Sequence, residues 1–187
     1  MKYSIGIDLG TTNCALSHAP LEGPDKGSMV FPIGQRDSAG TRAAHPTLPS
    51  FLHRPLESEM VGDERDGWLA GAFARKLAAA RPGTVAHSAK SWLAHHGADR
   101  TQGILPWGSS EIPEGQKLSP IQASALLLKH LQEEWNGAFA GQGADFADQE
   151  ITITVPASFD AVAQKLTLEA ATMAGFPPGV RFLEEPQ

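Results

Sequence analysis

Apolar and polar positions alternate most clearly at 149–159, QEITITVPASF, where Ile151, Ile153 and Val155 share one face and Pro156 ends the run. A period of two puts every second side chain on the same side of a pleated chain, so the segment predicts a strand. Residues 3–9, YSIGIDL, are too rich in apolar and β-favouring side chains for a loop, and they lead into a turn at Gly10. Residues 14–19, CALSHA, return as a second strand, making a hairpin around GTTN. GSMVFPIG, 27–34, reads as a third strand that Pro32 confines to an edge or an end, because proline donates no ladder hydrogen bond. VRFLEE, 180–185, supplies a last short strand.

The helical period appears in three places. In 66–83, Leu69, Phe73, Leu77 and Ala80 line one face, with Asp66 as the start and Pro82-Gly83 as the stop. The helix at 119–137 is the cleanest: Ser119 caps it, Pro120 takes the first turn and Gln122 completes a capping box. Its core stripe is Ile121, Leu128, Leu131 and Trp135, with Leu127 beside it. A third helix at 160–175 runs through Val162, Leu166, Ala170 and Met173 and closes at Gly175. Polar and proline residues dominate 35–55, including HPTLPSFLHRP, which reads as extended and irregular. Segment 83–97 mixes periods and fits no single element, and 101–118 is a Gly- and Pro-rich loop. Trp92, Trp107 and Trp135 are expected to pack inside.

Composition narrows the class. A chain of 187 residues with 41% apolar content can bury a real core as one domain or two small lobes of one domain. Formal charge is −6, and no block of Lys and Arg marks a nucleic-acid or anionic-membrane surface. No stretch approaches the roughly 20 apolar residues of a membrane span. The N-terminus has no signal-peptide core before Asp8 interrupts it. A single cysteine, Cys14, forms no internal disulfide and fits a reducing compartment, so a cytoplasmic α/β domain is expected. The seven histidines show no metal-ligand spacing.

IGIDLGTTN, 5–13, places more polar and flexible positions in a row than a chain reversal needs. Gly10 can take a positive φ and bring N–H groups close to an oxyanion. The Thr11 and Thr12 hydroxyls and amides can donate to phosphate oxygens, and Asp8 at the strand end can hold a hydrated Mg²⁺. No GxxxxGK[ST] loop is present, so this is not the helix-capped phosphate loop. A plain hairpin with decorative threonines accounts for these nine residues equally simply.

Four stretches in the same order carry a resemblance. GIDLGTTN resembles the first phosphate loop of the actin-like ATPase superfamily, in the version found in the 70-kilodalton heat-shock (DnaK-type) chaperones. SAKSWL, 88–93, is similar to the chaperone segment that carries a catalytic lysine. TVPASFDAVAQKLTLEAATMAG, 154–175, resembles the strand-Pro-helix of those chaperones, and FLEEP, 182–186, their Asn-Glu-Pro motif.

The resemblance implies lobe I of an actin-like (ribonuclease H-like) ATPase fold: a mixed sheet flanked by helices, with an inserted α+β subdomain. The core would be 1–37 and 116–187, and the insertion 38–115. It implies ATP or ADP with Mg²⁺ and these roles: Asp8 and Glu185 on the metal, largely through water; Gly10, Thr11, Thr12 and Asn13 around the phosphates. Lys90 and Thr12 would be catalytic, and Pro156 an interdomain relay. Each has a plainer alternative: a hairpin cap for Asp8, a solvated helix residue for Lys90, an acidic strand end for Glu184-Glu185, a strand stop for Pro156. Partners implied are a second lobe of the same protein, a peptide-binding domain, a J-domain co-chaperone and a nucleotide exchange factor.

The chain departs from the family pattern at Gln164, where the arginine that accompanies the relay proline usually stands, in the SWLAHHG that follows Lys90, and in EEPQ, 184–187; these departures mark a divergent branch. The second phosphate loop and the adenosine pocket have no counterpart in the chain, so it is expected to be a piece of a longer protein that binds ATP weakly by itself. A sugar kinase of the same superfamily, or an actin-like assembly module, are the alternatives. The kinase reading gives no reason for Lys90 or VPASF.

Overall fold

The computed structural model describes residues 2–24 and 27–185; Pro186 and Gln187 of the FLEEP and EEPQ stretches lie outside the described residues. Strand β1 (Tyr3–Leu9) turns into β2 (Asn13–Pro20), and the expected third strand splits into β3 (Met29–Val30) and β4 (Ile33–Arg36) on either side of Pro32. The stretch expected to be irregular holds three short strands, β5 (Arg42–His45), β6 (Leu48–Pro49) and β7 (Phe51–His53). Strands of two to four residues carry too few alternations to show a period, and pairing partners hold them instead.

The helix expected over 66–83 is shorter and later. Asp66 takes a φ of 51° in a tight turn, and Leu69–Ala70 form β8 against β7. Helix α1 (Ala72–Ala80) then begins after Gly71 at φ 100°, burying Ala72 and Ala74 while Ala80 is exposed. Sheet pairing at Leu69 overrides the helical spacing. The unassigned segment 83–97 resolves into β9 (Val85–His87) and the short helix α2 (Ala89–Leu93). Ser88 between them sits at φ 58°, a left-handed step that turns the chain sharply from strand to helix.

Helix α3 (Pro120–Ala138) forms as its caps dictate: Ser119 Oγ accepts from the Gln122 N–H, and the Gln122 side chain accepts from the Ser119 N–H. Strand β10 (Glu150–Val155) follows, then α4 (Ala161–Met173), capped by Asp160, then β11 (Arg181–Glu184). On α4 the buried face is Ala163, Leu166, Thr167, Ala170 and Ala171, whereas Val162 and Met173 are 54% and 52% exposed. The apolar row 162–166–170–173 therefore misjudges the face by part of a turn, because small alanines rather than large side chains meet the core. Trp107 also departs from expectation: it is 65% exposed and stacks on Trp92 at a ring distance of 4.8 Å.

The main sheet has the order β11-β10-β1-β2-β3, with β6 also on β2. Strands β1, β10 and β11 run parallel to one another, while β2 is antiparallel to β1, so the sheet is mixed. Ile5, Ile7, Leu9, Ile151 and Ile153 pack from this sheet into one core with Leu127, Leu128, Leu131 and Trp135 of α3. Trp135 is the hub. It is fully buried, stacks on Phe139, and donates its indole N–H to the Ala144 carbonyl at 2.8 Å. Parallel register places Asp8 opposite Thr154 and Val155 opposite Glu184. This register builds the site, because it brings three strand ends to one edge of the sheet. Among the described residues no helix is long and apolar enough to cross a membrane.

Candidate nucleotide site

Asp8 lies on the face of β1 opposite to Ile7 and Leu9, as alternation requires, and its side chain is 56% exposed. Helix α2 presents Lys90 toward it. The Lys90 ammonium stands 2.7 Å from Glu185 Oε1 and 4.0 Å from Asp8 Oδ1, and its side chain is only 9% exposed. A lysine so well covered needs anionic partners, and two carboxylates supply them. Glu185 is positioned by its N–H, which donates to the Val155 carbonyl at 2.9 Å and extends the β10–β11 pairing. Successive strand residues point to opposite faces, so Glu184 is exposed elsewhere and only Glu185 joins the cluster.

Thr154 completes the group. Its hydroxyl lies 3.4 Å from Asp8 Oδ1 and 3.5 Å from Glu185 Oε1, midway between the two carboxylates. It carries one proton for two acceptors, so it serves one carboxylate at a time. Two carboxylates and one ammonium leave the cluster one negative charge in excess. With no third His, Cys, Asp or Glu clustered there among the described residues, this is no all-protein metal cage. It does suit an ion such as Mg²⁺, which keeps most of its water and takes only a few protein oxygens.

The turn between β1 and β2 sits beside this group. Thr11 and Thr12 are exposed, Asn13 is half-buried, and Thr11 Oγ1 lies 3.4 Å from Ser91 Oγ on α2. Gly10 does not take the expected positive φ. Glycine is required there for another reason: a Cβ would stand 2.0 Å from the Asn13 carbonyl oxygen. Beneath the turn Ser50, 2% exposed, donates its hydroxyl to the Gly10 carbonyl at 2.7 Å and its N–H to the Thr12 carbonyl at 2.9 Å. Cys14 is buried behind the turn with Sγ 3.3 Å from Ser50 Oγ, and burial pushes its thiol up to about 11.

Thus the fold brings Asp8, Lys90 and Glu185 together at the edge of the Gly10–Asn13 turn. Pro156 stands just past Thr154 at the end of β10, where its carbonyl accepts from the Phe159 N–H at 2.9 Å; it adds no polar group to the cluster. Gln164 sits on α4 with its amide 3.5 Å from the Phe159 carbonyl. Sequence reasoning misses Thr154, Ser91 and Ser50. The register of β1 against β10 would reveal Thr154, whereas Ser50 follows a proline in a stretch with no readable period.

No protein-family model matches the chain. Curated relatives do. The chain is 32% identical over 195 residues to a chaperone protein HscA homolog of Aeromonas hydrophila, covering 99% of this chain and 27% of that relative. The chaperone protein HscA homolog of Photobacterium profundum matches at 32% with the same coverage. The chaperone protein DnaK of Deinococcus deserti matches at 31% over 196 residues, with 100% of this chain and 27% of that relative covered. The chain therefore spans about a quarter of the length of the curated relatives it matches. With identity of this order running through its whole length, the chain is a divergent member of the 70-kilodalton heat-shock (DnaK-type) chaperone family.

Proposed function

We propose that the chain is lobe I of an actin-like ATPase domain and that, within a longer DnaK-type chaperone, it binds and hydrolyses ATP. The observation that carries this reading is the meeting of Lys90 with Asp8 and Glu185, from three separate elements, beside a turn with exposed threonines. The core would comprise 1–37 and 116–187 and the insertion 38–115, with the β4–β5 hairpin straddling the join. Cytoplasmic placement is part of the same proposal.

Phosphoryl transfer asks the protein mainly to position reactants and to balance charge. Thr11, Thr12 and Asn13 would donate to β- and γ-phosphate oxygens through amides and hydroxyls, and Gly10 would allow close backbone approach. Asp8 and Glu185 would hold Mg²⁺, which supplies charge neutralisation along the phosphate chain. Lys90 would face the charge that builds on the γ-phosphate oxygens and orient the attacking water. Thr12 would help to hold the γ-phosphate during that attack. Thr154 would keep the two carboxylates apart and oriented. Pro156 would relay nucleotide state to a neighbouring domain. The missing lobe, a peptide-binding domain, a J-domain co-chaperone and a nucleotide exchange factor are the partners this reading implies.

The test is an amide chemical-shift titration of the chain with ATP, with and without Mg²⁺. Expected are Mg²⁺-dependent shifts at residues 8–13 and weak binding, with a Kd of about 1 mM, or about −4 kcal/mol. Equal responses to ATP and adenosine, or shifts confined to another face, would overturn the proposal. A sugar kinase or a filament module would instead reveal itself by transfer to a sugar hydroxyl or by nucleotide-driven light scattering.

A further inference from the structure

We infer that Ser50 is a positioning residue for the phosphate turn: its hydroxyl and N–H hold the Gly10 and Thr12 carbonyls inward, so that the Thr11 N–H faces outward toward a bound polyphosphate. The inference rests on the nucleotide reading above and names the buried device that would make the turn an anion site.

A peptide unit is planar and trans, so its C=O and N–H point in opposite directions. Ser50 Oγ donates to the Gly10 carbonyl at 2.7 Å from a position 2% exposed beneath the turn. The N–H of the same peptide unit, that of Thr11, is thereby aimed away from Ser50. The Ser50 N–H, donating to the Thr12 carbonyl at 2.9 Å, withdraws a second oxygen from the exposed side. Carbonyl oxygens facing a polyphosphate would repel it, whereas an outward N–H attracts it. Glycine makes this control necessary. With no Cβ on Gly10, the Gly10–Thr11 peptide unit has an easy route to the flipped orientation, which would turn its oxygen outward.

The Ser50 hydroxyl is itself oriented. Its one proton goes to Gly10, so its oxygen is free to accept, and Cys14 Sγ at 3.3 Å is the donor placed to fill it. A chain of hydrogen bonds therefore runs from the Cys14 thiol through Ser50 to the turn. The placement of Ser50 is fixed by the sheet: β6 pairs Leu48 with Cys14 and Pro49 with Asn13, so the next residue falls under the turn.

The experiment is a titration of the chain with magnesium tripolyphosphate, read from the amide shifts of residues 8–13, in the wild type and in Ser50→Ala. The wild type is expected to shift at Thr11, and Ser50→Ala to bind about tenfold more weakly, the loss of roughly one hydrogen bond to a charged group. Shifts of residues remote from the turn report whether the variant keeps its fold. A purely structural Ser50 would lower thermal stability and leave the affinity unchanged, which overturns the inference. If the variant does not fold, the wild type decides: tripolyphosphate is expected to slow hydrogen exchange of the Ser50 amide several-fold, and no change overturns the inference. A wild type in which the Thr11 amide ignores tripolyphosphate overturns the nucleotide reading itself, a result distinct from the two above.

Discussion

The ammonium of Lys90 lies 2.7 Å from the Glu185 carboxylate, joining residues 95 positions apart across the end of the main sheet. Neither residue reaches the other by local structure. Helix α2 brings the lysine, the pairing of β11 with β10 brings the glutamate, and Asp8 stands 4.0 Å from the same nitrogen. Lys90→Ala removes the cation of this cluster while leaving both carboxylates. On the proposed function, in a longer chain that carries a second lobe, single-turnover ATP hydrolysis is expected to slow by about 10²- to 10³-fold, the cost of losing one preorganised charge at a reacting group. Nucleotide affinity should change far less, so the loss appears in kcat rather than KM. Equal hydrolysis rates in variant and wild type would remove Lys90 from the chemistry.

Much of this arrangement is legible in the residues. The β1–β2 hairpin, α3 with its capping box, β10 ending at Pro156, and the last strand all follow from local period and capping chemistry. Asp8, Lys90 and Glu185 stand out by resemblance to family motifs; no period in the chain indicates that they meet. What stays illegible depends on pairing across distance. Leu69 reads as helical by its spacing to Phe73, yet β7 claims it. Met173 and Val162 read as core, yet alanines form the contact face of α4. Gly10 reads as a left-handed turn residue, yet steric conflict with Asn13 decides its identity. Ser50 and Thr154 carry no local signal, since their importance lies in the carbonyls and carboxylates that the sheet register sets beside them.

Trp135 carries the aromatic core and should show it in stability. Its ring packs on Phe139 at 4.2 Å, and Tyr3, His18 and Phe31 surround it at 5.2 to 5.5 Å. Trp135→Ala opens a cavity and strands the Ala144 carbonyl, so about 3–5 kcal/mol of unfolding free energy is expected to disappear. Trp135→Phe keeps most of the packing and should lose less than half as much. Urea unfolding followed by circular dichroism measures both, and near-equal losses would contradict the assignment of packing as the main contribution.

Cys14 should be nearly inert in the native chain. Burial raises its thiol from the ordinary 9.0 to about 11. The thiolate is the reacting form, so a thiol raised this far labels about a hundredfold more slowly at pH 8, before steric shielding is counted. Alkylation with a maleimide is expected to be slow in buffer and fast in urea, and the native rate should rise about tenfold per pH unit below about 11. Native labelling as fast as in urea would show that the hairpin does not cover the thiol.

His130 predicts a loss of stability in acid. Its ring is buried between two groups: Nε2 donates to the Gly34 carbonyl at 2.8 Å, and Nδ1 accepts from Arg65 at 2.8 Å. Burial, followed by the adjacent Arg65 charge, lowers its pKa from 6.5 to about 3. The unfolded chain takes up a proton near pH 6.5, whereas the folded chain resists until about 3. Protons therefore bind more readily to the unfolded state, and stability falls as pH drops through this window, by at most about 1.4 kcal/mol per pH unit for one group. His18 and His53 are also lowered, chiefly by burial, and add to the same slope. His130→Gln can keep a donor for Gly34 and an acceptor for Arg65 without titrating. That variant should be less stable than the wild type at pH 7, yet lose less stability on going from about pH 6.5 to about 4.5. Urea unfolding at closely spaced pH values measures the two slopes. If they are parallel, His130 is not the group whose neutrality the fold protects.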